Sequence, residues 1–160
     1  IAPHLDLDEE ERRFTAAEVT DTEGIITIDG ALALLQSLPP DAWAIVTSGS
    51  RELAAARLRS RGLPVPPILV TADDVVNGKP HPEPYLLGAR RLGLAPDQCV
   101  VVEDAPAGLR SAADAGMRAV GVATTHPIEE LAGATLTTRQ LGDIQVVAGT
   151  GARLAIRVRE

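Results

Sequence analysis

From about residue 43 the chain alternates between short apolar runs and longer amphipathic segments. The runs are "WAIV" (43–46), "ILV" (68–70), "CVVV" (99–102) and "AVGVA" (119–123). Between them lie "SRELAAARLRSRG", closing on Gly62, "PEPYLLGARRLG", entered through prolines and closed by Gly93, and "PAGLRSAADAG". Short β-branched runs alternating with helical segments predict βα units around a parallel sheet. The last stretch, "IQVVAGTGARLAIRV", carries two alternating segments about a Thr-Gly pair and predicts a terminal hairpin. Ahead of the first run, residues 6–19 ("DLDEEERRFTAAEV") read as a helix capped by Asp6 or Asp8, with acidic residues in its first turn. "TDTEGIITIDGALALLQSLP" reads as a connector and a second helix, with Gly30 near its start and Pro39-Pro40 ending it. The expected fold class is therefore α/β, with a core over residues 29–160 and residues 1–28 as a helical appendage.

Composition narrows the function classes. The length of 160 residues suits one domain, and the net charge of −7 argues against the basic surface that nucleic acids or anionic membranes require. No apolar stretch approaches the roughly 18 residues of a membrane span. The single cysteine, Cys99, rules out an internal disulfide, so nothing demands an oxidising compartment and the cytoplasm is the expected location. Cys99 itself is expected to be a small core residue. Of the 15 basic residues only one is lysine, Lys79, in "NGKPHPEP". Lysine is a compact point charge where arginine is a broad fork, so a chain that favours arginine and keeps one lysine marks that position.

In an open parallel sheet, ligands collect where the strands end at their carboxyl side. After "WAIV" come Thr47-Ser48-Gly49-Ser50, which offer hydroxyls, backbone N–H groups and a helix start to an anion, phosphate above all. After "CVVV" come Glu103 and Asp104, adjacent hard-oxygen donors of the kind that hold Mg²⁺ together with a substrate phosphate. Lys79 follows the "ILV" run. Each element has a plainer use: Thr47 or Ser48 as a helix cap, Glu103-Asp104 as an acidic helix start. Asp73-Asp74 is read in that plainer way, as loop and cap. His81 lies between prolines as a structural residue, and His4 and His126 show no ligand spacing. Three strand ends presenting hydroxyls, an ammonium and a carboxylate pair nevertheless describe a site for a phosphate and a divalent cation.

These stretches resemble the haloacid dehalogenase superfamily in its phosphatase branch. "AIVTSGS" looks like that family's second motif, "GKPHPEPY" like its third and "VVVEDAPAGLRSAADAGM" like its fourth, in matching order from about Thr22 to Thr124. The resemblance implies a Rossmann-like three-layer core and, most nearly, a sugar- or polyol-phosphate phosphatase. It makes Thr47 the hydroxyl that binds the transferring phosphoryl group, with Ser48 assisting, and Lys79 the cation that holds nucleophile and phosphate together. Asp104, with Glu103 beside it, would bind Mg²⁺, and the partner would be a small phosphorylated metabolite. The implied reaction is attack of an aspartate on a phosphomonoester, giving an aspartyl-phosphate that water hydrolyses.

The family's first motif, an apolar strand ending in Asp-x-Asp-Gly-Thr, has no counterpart. Asp6-Leu7-Asp8 follows only five residues, one of them Pro3, and Glu9-Glu10-Glu11 stands where Gly-Thr belongs. The chain also begins at Ile1 rather than Met. The expectation is that the nucleophile, its strand and most of a helical cap lie outside this chain, with residues 1–28 the end of that cap. The alternatives are a non-catalytic phosphate- or metal-binding remnant, a subunit completed by another polypeptide, or a mutase of the same fold. A dehalogenase is disfavoured by Glu103-Asp104, since it needs no Mg²⁺. The oligomeric state is left open.

Overall fold

The structure, a computed structural model, describes residues 6–149 and 154–159. His4 and the Thr150-Gly151 pair of the expected hairpin turn lie outside them. The elements run α1 (Leu7–Thr20), α2 (Ala31–Ser37), β1 (Ile45–Val46), α3 (Arg51–Ser60) and β2 (Leu69–Val70). They continue with α4 (Glu83–Leu92), β3 (Val100–Glu103), α5 (Pro106–Asp114), β4 (Arg118–Val122), β5 (Leu136–Thr138), β6 (Ile144–Ala148) and β7 (Leu154–Val158). All four apolar runs are strands, the helices between them form, and β6 and β7 pair antiparallel. β5 was not expected; its "LTT" is short and half polar, and it pairs only with β4.

The parallel strands do not form one sheet. β1 pairs with β2, and β3, β4 and β5 form a separate sheet in that order. Core clusters pack on both faces of the second sheet, since alternate residues of a strand point to opposite sides. Val101 and Ala119 join Tyr85 and Ala89 of α4 and Leu109 and Ala112 of α5 in one cluster. Val120 and Val122 face the other way, against Ile144 and Ile156 of the hairpin and Leu34 of α2. The result is three layers: α4 and α5, the parallel strands, then α2 with the hairpin.

The helix ends follow local chemistry. Ser50 caps α3 by accepting the Leu53 N–H at 3.3 Å, so neither Thr47 nor Ser48 is used as its cap. Gly93 closes α4 at φ +71°, a left-handed turn that a side chain would strain. Asp6 accepts the Glu9 N–H at 3.2 Å at the start of α1. Helix α1 meets α3 through Glu18–Arg57 at 3.3 Å, and the Arg61 guanidinium donates to the Thr22 carbonyl at 2.9 Å.

Asp74 joins three elements. Its carboxylate accepts from the Thr71 N–H and hydroxyl after β2, from Arg51 of α3 at 2.6 Å and from Arg91 of α4 at 2.7 Å. Arg91 above all, with Thr71 and Arg51, holds this carboxyl well below the usual carboxylate range. A depressed folded-state pKa contributes stability that is present above the unfolded value and lost as pH falls below it. Asp74→Asn is expected to cost roughly 1–3 kcal/mol at neutral pH, and the difference from the parent should shrink as pH falls below about 4. Urea unfolding of both chains over that range checks it.

Candidate active site

The carboxyl ends of β1 and β3 open into one cavity of about 400 Å³. Thr47, Ser48, Lys79, Glu103 and Asp104 all line it. Since both strands end at the same cavity, they point the same way, and the residues singled out from the sequence converge there.

Thr47 continues β1, with its N–H bonded to the Val70 carbonyl of β2 at 2.9 Å. Its hydroxyl oxygen accepts the Gly49 N–H at 3.2 Å, which sets the rotamer and leaves the O–H proton to be donated. The Gly49 carbonyl is itself held by the Ala72 N–H at 3.1 Å, so the β1–α3 loop is braced against the β2 loop.

Lys79 reaches across the mouth between the two sheets. Its ammonium donates to the Val46 carbonyl of β1 at 3.1 Å and to Glu103 Oε2 of β3 at 2.8 Å. Both side chains are nearly buried, at 12% and 8% exposure, so this pair is little weakened by solvent. The Tyr85 hydroxyl donates to the same Oε2, and burial, then the Glu103 charge, pushes its phenol pKa up, so it stays a neutral donor. Glu103 Oε1 accepts the Asp104 and Ala105 N–H groups, both at 3.3 Å. Every side of this carboxylate is therefore engaged.

Asp104 faces elsewhere, although it is the next residue. Its Oδ2 accepts the Thr125 hydroxyl at 2.7 Å and the Thr124 hydroxyl at 3.5 Å, and its carbonyl lies 3.1 Å from His126 Nδ1. Among the described residues nothing bonds Oδ1. The donor set suits a hard divalent cation, with Asp104 offering a carboxylate oxygen to the cavity and Glu103 adding negative charge beside it. No group of three His, Cys, Asp or Glu side chains that could hold a metal occurs among the described residues, so such side chains alone do not complete a cation site there.

Sequence reasoning missed Tyr85, Gly108, Thr125 and His126. Thr125 and His126 follow the "AVGVA" run at a strand's carboxyl end; His126 shows no ligand spacing in the sequence, and its place here is a contact to the Asp104 carbonyl. Tyr85 and Gly108 carry no comparable signal, because their roles depend on tertiary contact. Asp6 accepts the Glu9 N–H at the start of α1, as its reading as a cap expects. Cys99 packs at the edge of the first core cluster, where burial raises its thiol pKa.

A second, apolar cavity of about 380 Å³ lies between the two sheets. Its walls are the facing edges of β1 (Ile45, Val46) and β3 (Val100, Val101). Leu92 of α4 and Ile156 of β7 are among the side chains that complete the lining. Val46 and Val102 line both cavities, so this slot opens directly beneath the polar site.

The residues singled out from the sequence thus share one polar cavity at the carboxyl ends of parallel strands in a three-layer α/β core. The family described as haloacid dehalogenase-like hydrolase matches residues 3–116, and the chain belongs to that family. The chain is 52% identical over 119 residues to hexitol phosphatase A of Escherichia coli (strain K12), a match covering 73% of this chain and 55% of that protein. It is 40% identical over 119 residues to glycerol-1-phosphate phosphohydrolase 2 of Saccharomyces cerevisiae, covering 68% and 48% respectively. The crystal structure of CbbY from Rhodobacter sphaeroides in complex with phosphate superposes with a TM-score of 0.75 at 28% identity, over 88% of this chain and 66% of that one. The chain spans about half the length of the curated relatives it matches.

Gly108 on α5 supplies a test of the site's packing. A Cβ there would lie 2.0 Å from Glu103 Cδ and 2.2 Å from Oε2. Gly→Ala inside a helix ordinarily gains about 1 kcal/mol. Here Gly108→Ala is expected to destabilise by roughly 1–3 kcal/mol instead, because Glu103 must leave its bonds to make room. Thermal unfolding of the two chains reads the sign.

Proposed function

We propose that this chain is the larger part of a Mg²⁺-dependent phosphatase acting on small sugar or polyol phosphates. Its nucleophilic aspartate sits at the end of a strand that fills the slot between β1 and β3. The observation that carries this reading is the slot itself. Two strands pointing the same way leave an apolar gap between them, and the gap opens onto the polar cavity. A strand lying parallel in that gap delivers its last residues to Thr47, Lys79 and Asp104. Residues 1–28 then form the tail of a helical cap and its linker, and residues 29–160 the core without its first strand.

In this reading the Thr47 hydroxyl donates to a phosphoryl oxygen, and the N–H groups around Ser48 at the start of α3 face the same anion. The Lys79 ammonium sits where it offsets the charge that develops between nucleophile and phosphate. Asp104, with Glu103 at its side, holds the cation, which when bound neutralises phosphate charge and orients the phosphoryl group. The carboxylate attack gives an aspartyl-phosphate and releases the alcohol; water then frees inorganic phosphate. Catalysis here is mainly positioning and charge neutralisation, which the named residues supply.

The test is phosphate release by the protein carrying its upstream segment, assayed on a panel of hexitol, glycerol and sugar phosphates. Activity is expected to need Mg²⁺ and to disappear with a chelator. Asp104→Asn should lower turnover by roughly 10²–10³-fold. Residues 1–160 alone should release essentially no phosphate. A longer protein that binds phosphate but turns over none of the panel would favour the non-catalytic alternative, and undiminished turnover in Asp104→Asn would overturn the metal assignment.

A further inference from the structure

We infer that Tyr85 is a positioning residue for the site, fixing the Lys79 ammonium directly through its ring and indirectly through Glu103. This rests on the reading of Lys79 as the cation that meets the phosphate. Tyr85 lies in the first turn of α4 and is 7% exposed, packed with Ala89, Val101 and Leu109. Core filling alone would explain a phenylalanine there equally well. Two contacts set the tyrosine apart. Its hydroxyl donates to Glu103 Oε2, the same oxygen that accepts from Lys79. Its ring lies 4.8 Å from Lys79 Nζ, within the range in which an aromatic face attracts a cation.

The ammonium is thus held on three sides, by the Val46 carbonyl, the Glu103 carboxylate and the Tyr85 face. A lysine on a flexible stem would otherwise sample many positions, and ordering such a side chain costs roughly 1.5–2 kcal/mol. Tyr85 meets that cost in advance, before any phosphate arrives. It also keeps Glu103 turned toward Lys79, with Asp104 beside it in the cavity lining. Helix α4 is in turn fixed against β1, where a Cβ on Gly88 would lie 3.2 Å from Val46 Cγ2. The tyrosine's depth is therefore set by close contact between helix and strand.

Within residues 1–160 Lys79 is the one lysine and Tyr85 the one tyrosine, and the test uses the protein carrying its upstream segment, with Lys79→Arg as the assignment control. With ¹⁵N-labelled lysine, the side-chain ammonium signal that disappears in Lys79→Arg is that of Lys79. That signal is expected to be visible, with slow solvent exchange. Tyr85→Phe keeps the ring and the core filling, so its backbone amide spectrum should stay folded. Its Lys79 ammonium should exchange roughly tenfold faster, as the loss of one hydrogen bond to a charged group gives. Added inorganic phosphate should shift the Lys79 signal in the parent and need about tenfold more in the variant. Equal exchange in the two chains, or no visible ammonium signal in the parent, overturns the inference. If phosphate fails to move the parent's signal, the phosphate reading of Lys79 falls, while the exchange comparison still decides Tyr85. An independent measurement uses 3-fluorotyrosine, with the Tyr85 resonance identified by its loss in Tyr85→Phe: it should shift on Lys79→Met, and an unchanged resonance overturns the contact.

Discussion

The ion pair between Lys79 and Glu103 is the contact on which the site depends. It joins two sheets that share no backbone ladder: Lys79 follows β2, bonds the last carbonyl of β1 and meets the carboxylate at the end of β3. Burying such a pair is costly unless every remaining donor and acceptor is matched, and a half-satisfied pair destabilises. Here the matching is complete around Glu103, with an ammonium, a phenol and two amides on its two oxygens. The pair is therefore set by its surroundings rather than by mutual attraction alone. Gly108 belongs to those surroundings as much as any polar group, because it clears the volume the carboxylate occupies.

The two acidic neighbours at the end of β3 separate in role. Glu103 ends the strand and turns toward Lys79 and Tyr85, while Asp104, in the bend just after it, turns toward the loop after β4. Thr125 and His126 of that loop brace Asp104 from outside. Adjacent carboxylates in sequence thus become one inward anchor and one outward donor.

Much of this was legible in the sequence. The four apolar runs, their helices and the terminal pairing follow from periodicity and from Gly and Pro stops, which are local properties. Thr47, Ser48, Lys79, Glu103 and Asp104 were found because strand ends in this architecture carry the chemistry. What stayed hidden depends on contacts distant in sequence. Glu103 reads in sequence as an acidic neighbour of Asp104, and its ion pair with Lys79, 24 positions away, shows only in the structure. The lone tyrosine looked like a helix residue, since nothing local tells a core phenol from a core phenyl. The break between β1 and β3 was equally invisible, because β1 shows as a run whether or not it has a neighbour on each side. The β5 strand was missed because its three residues are too few and too polar to show a period.

The slot between β1 and β3 has a consequence for how this chain behaves on its own. Native sheets protect their edges with charges, prolines or covering segments, because an open edge is a template for another chain. Here two edges face each other across an apolar gap, and neither Ile45-Val46 nor Val100-Val101 carries a charged gatekeeper. In isolation the chain presents a ready acceptor for any extended apolar segment, including one from another copy of itself. Its colloidal behaviour, and not only its chemistry, is governed by whether that gap is filled.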